Sequence, residues 1–254
     1  LDDAIHEVIT IFKTIFTAEV MKGSLYLVPN TLGNPDYGTT IPEGIRTQVS
    51  QISVFIVENL RNARRYLKGL NREIDIDSLK FYELNKHTEE REIPAFLEEL
   101  EQGRDAAVLS EAGVPGVADP GAAVVRLAHE KGIRVIPLTG PSSILLALMA
   151  SGLNGQSFCF HGYLPVRRPE RIKKIREIEQ AAIRKGETQL FIEAPYRNDA
   201  LFADILQSCH PNTRLCIAAD LTLDTEFIHT TSIEKWKNKK PALHKRPVLF
   251  LLGT

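Results

Sequence analysis

From Ser24 to Pro137 short apolar runs take turns with helix-patterned stretches, and this alternation constrains the fold more than any other feature of the chain. Ser24–Val28, Val54–Val57, Lys80–Tyr82, Ala106–Leu109 and Arg134–Pro137 are β-rich runs. Leu60–Leu67, Glu89–Leu100 and Ala122–Lys131 read as helices between them, and Gly103 and Gly132 follow two of these as helix-ending glycines do. Strands that alternate with helices imply βαβ units and a mostly parallel sheet, which binds ligands at the carboxyl ends of its strands.

The second half has a different rhythm. Pro141–Gly152 is an apolar helical segment, and Ser157–His161, Gln189–Glu193, Leu215–Ala219, Glu226–Thr230 and Val248–Leu252 are strand-like. Long helices are expected at Arg168–Lys185 and Tyr196–Ser208, while the last strands stand closer together, as in an antiparallel portion of a mixed sheet. The expected fold is α/β. Two α/β domains, residues 21–138 with a mostly parallel sheet and 139–254 with a mixed one, are expected to enclose a ligand cleft between them. Residues 1–20 read as a helical extension outside this core. Ile5, Val8, Ile9, Phe12, Ile15 and Phe16 share one helical face, and Asp2, Asp3 and Glu7 stand where a secretory signal carries positive charge.

Of the 254 residues, 43% are hydrophobic and 25% charged, which places the chain among globular rather than disordered proteins. A formal net charge of -1 excludes a global basic surface, so nucleic acid would have to be met by local patches. Two such stretches exist, Arg167–Arg176 and Lys235–Arg246, with a solvated helix face as the plain alternative for the first. There, the isoleucines turn inward and leave Arg167, Lys173, Lys174 and Arg176 outward. The three cysteines, Cys159, Cys209 and Cys216, have no metal-ligand spacing and read as buried reduced thiols. With no apolar run of membrane-spanning length, a cytoplasmic location is expected.

The chemistry is concentrated in three loops after strands. They are Pro29–Pro35, Ser110–Gly121 and Thr139–Ser143, crowded with Gly, Pro and small polar residues. Glycines let backbone approach a ligand and prolines stiffen that approach. The middle loop is about a dozen residues long with an acid near each end, more than a passive turn requires. A phosphate-cradling P-loop, a dinucleotide fingerprint, a serine nucleophile elbow and zinc-ligand spacing are all missing from the sequence. No metal is expected.

These segments resemble the tetrapyrrole-methylase-like superfamily of methyltransferases, and within it the bacterial 16S ribosomal RNA ribose-2′-O-methyltransferase branch. The likeness rests on collinear motifs: Leu25–Pro29 with Leu32-Gly33-Asn34, Leu109–Gly121, Gly140–Ser143, Gly162–Pro165, Glu193–Arg197, and Asp220-Leu221-Thr222 with Glu226. The chain departs from the pattern at Glu58-Asn59-Leu60-Arg61, where the family has Glu-Asp-Thr-Arg, at Glu111 in place of Asp, and at Leu223 in place of a basic residue.

The resemblance implies S-adenosylmethionine as methyl donor, surrounded by Pro29, Ser110, Glu111, Ala112, Gly113, Val117, Asp119, Ser142, Ser143, Ala194 and Pro247. The small residues Ala112, Gly113 and Ala194 leave room for an adenosine, and Ser142 and Ser143 can offer hydroxyls or cap a helix. A methyl acceptor also needs proton removal, for which Glu58, Glu193, Asp220 and Glu226 stand at strand ends or just beyond, with Arg61 and Arg197 on the substrate side. His87 is a weaker candidate, and Tyr163 and Trp236 are possible stacking platforms. Ribosomal or other structured RNA is the expected acceptor, and a homodimer the expected state. The alternatives are a methyltransferase for a tetrapyrrole or other small molecule, and a silent module that binds S-adenosylmethionine or RNA.

Overall fold

A computed structural model of the chain describes residues 21–85 and 87–254. The helical extension expected at residues 1–20 lies outside the described residues. The chain divides into two α/β units. The first takes the described residues through Val28, then Arg46–Glu111 and Pro115–Leu138; the second takes Pro29–Ile45, Ala112–Val114 and Thr139–Thr254.

In the first unit β1 (Leu25–Val28), β2 (Val54–Val57), β3 (Lys80–Glu83), β4 (Ala106–Leu109) and β5 (Val135–Pro137) form one sheet in the order β3-β2-β4-β1-β5. All its pairings are parallel. β2 and β4 are apolar throughout and buried at every position, as strands covered on both faces must be. The edge strands β3 and β5 keep exposed residues. Helix α1 (Leu60–Leu70) starts at Asn59, whose side chain accepts the Asn62 N–H at 3.0 Å, and buries Ala63, Tyr66, Leu67 and Leu70. Helix α2 (Gly121–Glu130) buries Val124 and Ala128, and Gly132 follows it at φ +63°. The stretch expected as one helix at Glu89–Leu100 is three short pieces, Glu90–Glu92, Ile93–Phe96 and Glu98–Glu101. Pro94 brings no N–H, and Leu97 N–H bonds to the Pro94 carbonyl three residues back, so the α-helical ladder is interrupted. The apolar spacing survives the break: Ile93, Phe96, Leu97 and Leu100 still enter the core.

The second unit is a mixed sheet in the order β6-β7-β10-β8-β9, built from β6 (Phe158–Tyr163), β7 (Thr188–Ile192), β8 (Arg214–Ala219), β9 (Phe227–Ser232) and β10 (Val248–Gly253). Only β6 and β7 pair in parallel; the other pairings are antiparallel. Helices α3 (Ser143–Ser151), α4 (Arg168–Lys185) and α5 (Asn198–Ser208) belong to this unit. Phe191 stacks on Phe250 at 5.9 Å between centroids, and Phe202 meets the edge of Trp236 at 5.7 Å. Each such ring, once buried, contributes about 1.5–3 kcal/mol. The loop after β1 joins this unit through Asn30, which pairs with Gly113, and Asn34, whose side-chain amide donates to the Thr222 carbonyl at 2.8 Å.

No helix among the described residues is long and apolar enough to cross a membrane.

Candidate functional site

The loops at one end of the second sheet surround a cavity of about 300 Å³. Ile192 and Glu193 come from the end of β7, Ala218 and Leu221 from the end of β8, and Pro247, Val248 and Leu249 from the start of β10. Leu32, Ala112 and Ser143 arrive on the loops after β1, after β4 and at the start of α3; Tyr163 and Pro195 complete the wall. Most of this lining is apolar, with a hydroxyl at Ser143 and a carboxylate at Glu193. Such a wall suits a flat heterocycle with few polar edges.

Two glycines shape it. A Cβ on Gly140 would fall 2.3 Å from both Cβ and Cγ of Pro29, so only glycine allows these loops to touch. Gly113 sits at φ +69°, where a side chain is strained, and its carbonyl accepts the Asn30 N–H at 2.8 Å. Of the residues expected around the cofactor, Ala112, Ser143 and Pro247 line the cavity; Pro29, Gly113, Ser142 and Ala194 lie beside lining residues in the chain or in these loop contacts. Ser142 occupies the N-cap of α3 without a side-chain cap bond.

Glu193 is buried. Its Oε1 accepts three donors, Ala194 N–H at 2.7 Å, Arg197 Nε at 2.9 Å and Arg197 Nη2 at 2.6 Å, while Oε2 has no hydrogen-bond partner. This carboxylate therefore holds the turn Pro195–Arg197 and aims the Arg197 guanidinium. Glu226 has a similar duty, accepting the Thr222 N–H at 2.9 Å. Its loop carries two non-glycine residues with positive φ, Asp220 at +51° and Thr222 at +72°. The latter is β-branched, and strain of this kind collects at functional loops. Asp220 accepts Thr225 Oγ1–H and Arg246 Nε–H, each at 2.8 Å, which anchors the loop.

The remaining expected residues belong to the first unit. Glu58, Asn59, Asn85, His87 and Glu111 line a second pocket of about 340 Å³, beyond the carboxyl ends of β2 and β4. Burial, and then the nearby Glu111 and Asp119 carboxylates, push the Glu58 carboxyl above its ordinary range. Glu111 accepts the Asn62 side-chain amide at 2.6 Å. Asp119 Oδ1 accepts the N–H groups of Gly116 at 2.7 Å and Gly121 at 2.8 Å, so it clips the long loop to the start of α2. Ser110 is buried at the end of β4 and Val117 is exposed on the loop. Arg61 lines a third pocket with Arg64, whose guanidinium sits over Phe81 at 5.6 Å.

The structure corrects several readings. Arg171 is buried and donates to Asp204 Oδ2 at 2.6 and 2.9 Å, and Arg168 donates to Asp204 Oδ1 at 2.8 Å. The stretch Arg167–Arg176 thus loses two cations to a partner on α5. Arg167 lies 3.7 Å from Glu170 and Lys174 3.9 Å from Glu177, which leaves Lys173 and Arg176 without ion pairs among the described residues. Trp236 is fully buried, with its Nε1–H donating to the Leu215 carbonyl at 2.9 Å, so it is no stacking platform; Tyr163 is 62% exposed. Cys159 is exposed, unlike Cys209 and Cys216. Tyr196, 66% exposed on the Glu193–Arg197 turn, was not singled out by the sequence, in which exposure is invisible.

Among the described residues no cluster of His, Cys, Asp or Glu could hold a metal ion. A profile of the tetrapyrrole (corrin/porphyrin) methylases matches residues 25–236. The protein named ribosomal RNA small subunit methyltransferase I from Escherichia coli O157:H7 is 30% identical over 215 residues, which cover 84% of this chain and 70% of that protein. Its namesake from Vibrio cholerae is 30% identical over 204 residues, covering 80% and 67%. Among solved structures, the methyltransferase CobJ superposes with a TM-score of 0.62 at 16% identity, over 91% of this chain and 94% of that one. A uroporphyrin-III C-methyltransferase from Thermus thermophilus, complexed with S-adenyl homocysteine, superposes with a TM-score of 0.54 at 16% identity, covering 91% and 97%.

Proposed function

The chain belongs to the tetrapyrrole (corrin/porphyrin) methylase family, and from that premise we propose that it methylates a ribose hydroxyl of small-subunit ribosomal RNA. It is a methyltransferase that uses S-adenosylmethionine. When bound, this donor supplies a methyl group already activated on a sulfonium, so the protein needs to orient, exclude water and accept a proton rather than provide a nucleophile.

The observation that carries the reading is the apolar cavity of the second unit. Ala112, Ser143 and Pro247, three residues expected around the donor, meet there beside Glu193. Its size and mostly apolar lining fit an adenosine, and Gly113 and Gly140 keep the loops in place. Pro29, Ser142 and Ala194 complete the binding set from this unit. Ser110, Glu111, Val117 and Asp119, also implied by the resemblance, belong to the first unit, where Asp119 holds the long loop's shape. Of the four carboxylates considered for proton transfer, Glu193 and Glu226 already hold N–H groups of their own turns, and Asp220 holds Thr225 and Arg246. We assign proton transfer to Glu58, which lines the first unit's pocket with Asn85 and His87 and whose carboxyl is pushed upward by burial and by the nearby Glu111 and Asp119 carboxylates. Arg61 and Arg197 serve the substrate.

RNA as acceptor is supported by the ribosomal RNA methyltransferases that the chain resembles, and by exposed cations without ion pairs among the described residues, Lys235, Lys240 and Lys245 in one stretch and Lys173 and Arg176 in the other. Such cations position a phosphate backbone without reading its sequence. We place the reaction in the cytoplasm, on a homodimer. Self-association is supported by α3, which presents Leu145, 52% exposed, and Met149, 78% exposed, one turn apart on an otherwise apolar helix.

The test is transfer of tritium from labelled S-adenosylmethionine. Label is expected in unmodified 16S RNA within small ribosomal subunits, in a ribose after nuclease digestion. Label that enters only tetrapyrrole precursors, or nothing, rejects the proposal.

A further inference from the structure

Resting on the RNA reading, we infer that Tyr196 and Arg197 form a stacking platform for a nucleobase of the substrate. An aromatic ring that is two-thirds exposed on a rigid turn is an unusual surface feature. Here the rigidity has a source. Pro195 restricts the backbone, Arg197 N–H bonds to the Ala194 carbonyl at 2.8 Å, and the buried Glu193 carboxylate grips Arg197 through Nε and Nη2. The guanidinium carbon lies 5.4 Å from the Tyr196 ring centre, over one face. The ring's remaining surface is open to solvent. A base that stacks there meets a ring carried on a held turn and backed on one face by a guanidinium that Glu193 already orients, which lowers the ordering cost of binding.

The charges fit the same occupant. Arg197 Nη1 has no partner among the described residues and can reach a phosphate oxygen. Lys245 N–H bonds to the Pro195 carbonyl at 3.0 Å, which ties the exposed Lys245 to the same turn; its ammonium has no ion pair among the described residues. A ring with a guanidinium over one face, on a turn whose backbone is bonded to that of an exposed lysine, has the elements that bind single-stranded nucleic acid by stacking and phosphate contact. Pro195 also lines the cavity, so the platform adjoins the proposed donor site. One phenol ring matches a nucleobase in width, whereas a tetrapyrrole macrocycle would overhang it.

The experiment compares wild type, Tyr196→Ala and Tyr196→Phe on reconstituted small subunits carrying unmodified 16S RNA, with S-adenosylhomocysteine affinity measured by calorimetry. Loss of one stacked base should raise the KM for subunits about 5- to 140-fold in Tyr196→Ala, with kcat and S-adenosylhomocysteine affinity kept. Tyr196→Phe, which retains the ring, should recover the KM. Tyr196→Ala with a wild-type KM overturns the platform and leaves the RNA reading standing. Loss of S-adenosylhomocysteine binding in Tyr196→Ala also overturns it, since the ring would then serve the donor site. Wild type that leaves subunits unmodified and methylates a tetrapyrrole overturns the RNA reading, and the platform with it.

Discussion

Alanine at Gly140 should damage stability and donor binding together. The new Cβ would stand 2.3 Å from two carbons of the Pro29 ring, whereas carbon atoms rest roughly 3.5–4.0 Å apart. The ring cannot rotate away, because proline's side chain closes on its own backbone. Relief must come from moving one loop by more than an ångström. Overpacking of this kind costs about 1–3 kcal/mol. For a chain of this size that is a fall in Tm of roughly 2–12 °C. The shift should also reach the cavity. Pro29 leads to Asn30, which pairs with Gly113, and then to Leu32, which lines the wall. Weaker affinity for S-adenosylhomocysteine is therefore expected by titration calorimetry, alongside the lower Tm by scanning calorimetry. Gly155→Ala is the control, since nothing stands within 4 Å of its Cβ and its φ is not positive. If Gly140→Ala matches the control in both Tm and affinity, the loops do not meet as described.

Cys159 alone should react with iodoacetamide in the native protein, and all three cysteines in denaturant. Burial pushes the Cys216 thiol up to about 11 and the Cys209 thiol further, so more than one native label would contradict the fold of the second unit. Glu58 keeps its proton longer in the folded state than its ordinary value of 4.5 allows, so its contribution to stability falls as pH rises through the window between the two values. Glu58→Gln should therefore raise the urea midpoint relative to wild type near pH 8, with the gain lost near pH 4; a gain independent of pH would refute the upward shift that burial and the neighbouring carboxylates impose. Changing Lys235, Lys240 and Lys245 together to Gln should flatten the slope of log RNA affinity against log salt by roughly 2–3, at about 0.7–0.9 per lost phosphate contact. An unchanged slope would mean these lysines face solvent only.

Much of the fold was legible because its determinants are local. A strand such as Val54–Val57 is apolar at every position, and that alone announces a sheet covered on both faces. The mixed character of the second sheet could be read from the close spacing of its last strands. What failed was continuity. Spacing marked Glu89–Leu100 as a single helix because Ile93, Phe96, Leu97 and Leu100 do share a buried face, but periodicity reports which side chains go inward, and Pro94 decides whether the backbone stays helical. The short helices Tyr37–Thr40 and Glu43–Val49 span too few residues to show a period at all.

The site was legible where backbone makes it and illegible where partners make it. Glycine at positions 113 and 140 signals close approach before any coordinates are known, since no other residue explains a loop so rich in Gly and Pro. A charge carries no such signal. Arg171 and Lys173 look alike in a basic run, yet one is buried against Asp204, thirty-three residues later on another helix, and the other is exposed. The carboxylates divide in the same way. Glu193, Asp220 and Glu226 were read beside Glu58 as possible bases, but Glu193 and Glu226 turn back to bind N–H groups of their own loops and Asp220 binds Thr225 and Arg246. Whether an acid is available for chemistry depends on which donors have already claimed its oxygens, and those donors are placed by topology. The Glu193 carboxylate shows the consequence: its Oε1 is claimed by Ala194 and Arg197, and by holding the guanidinium that lies over Tyr196 it contributes to function through the residues it positions.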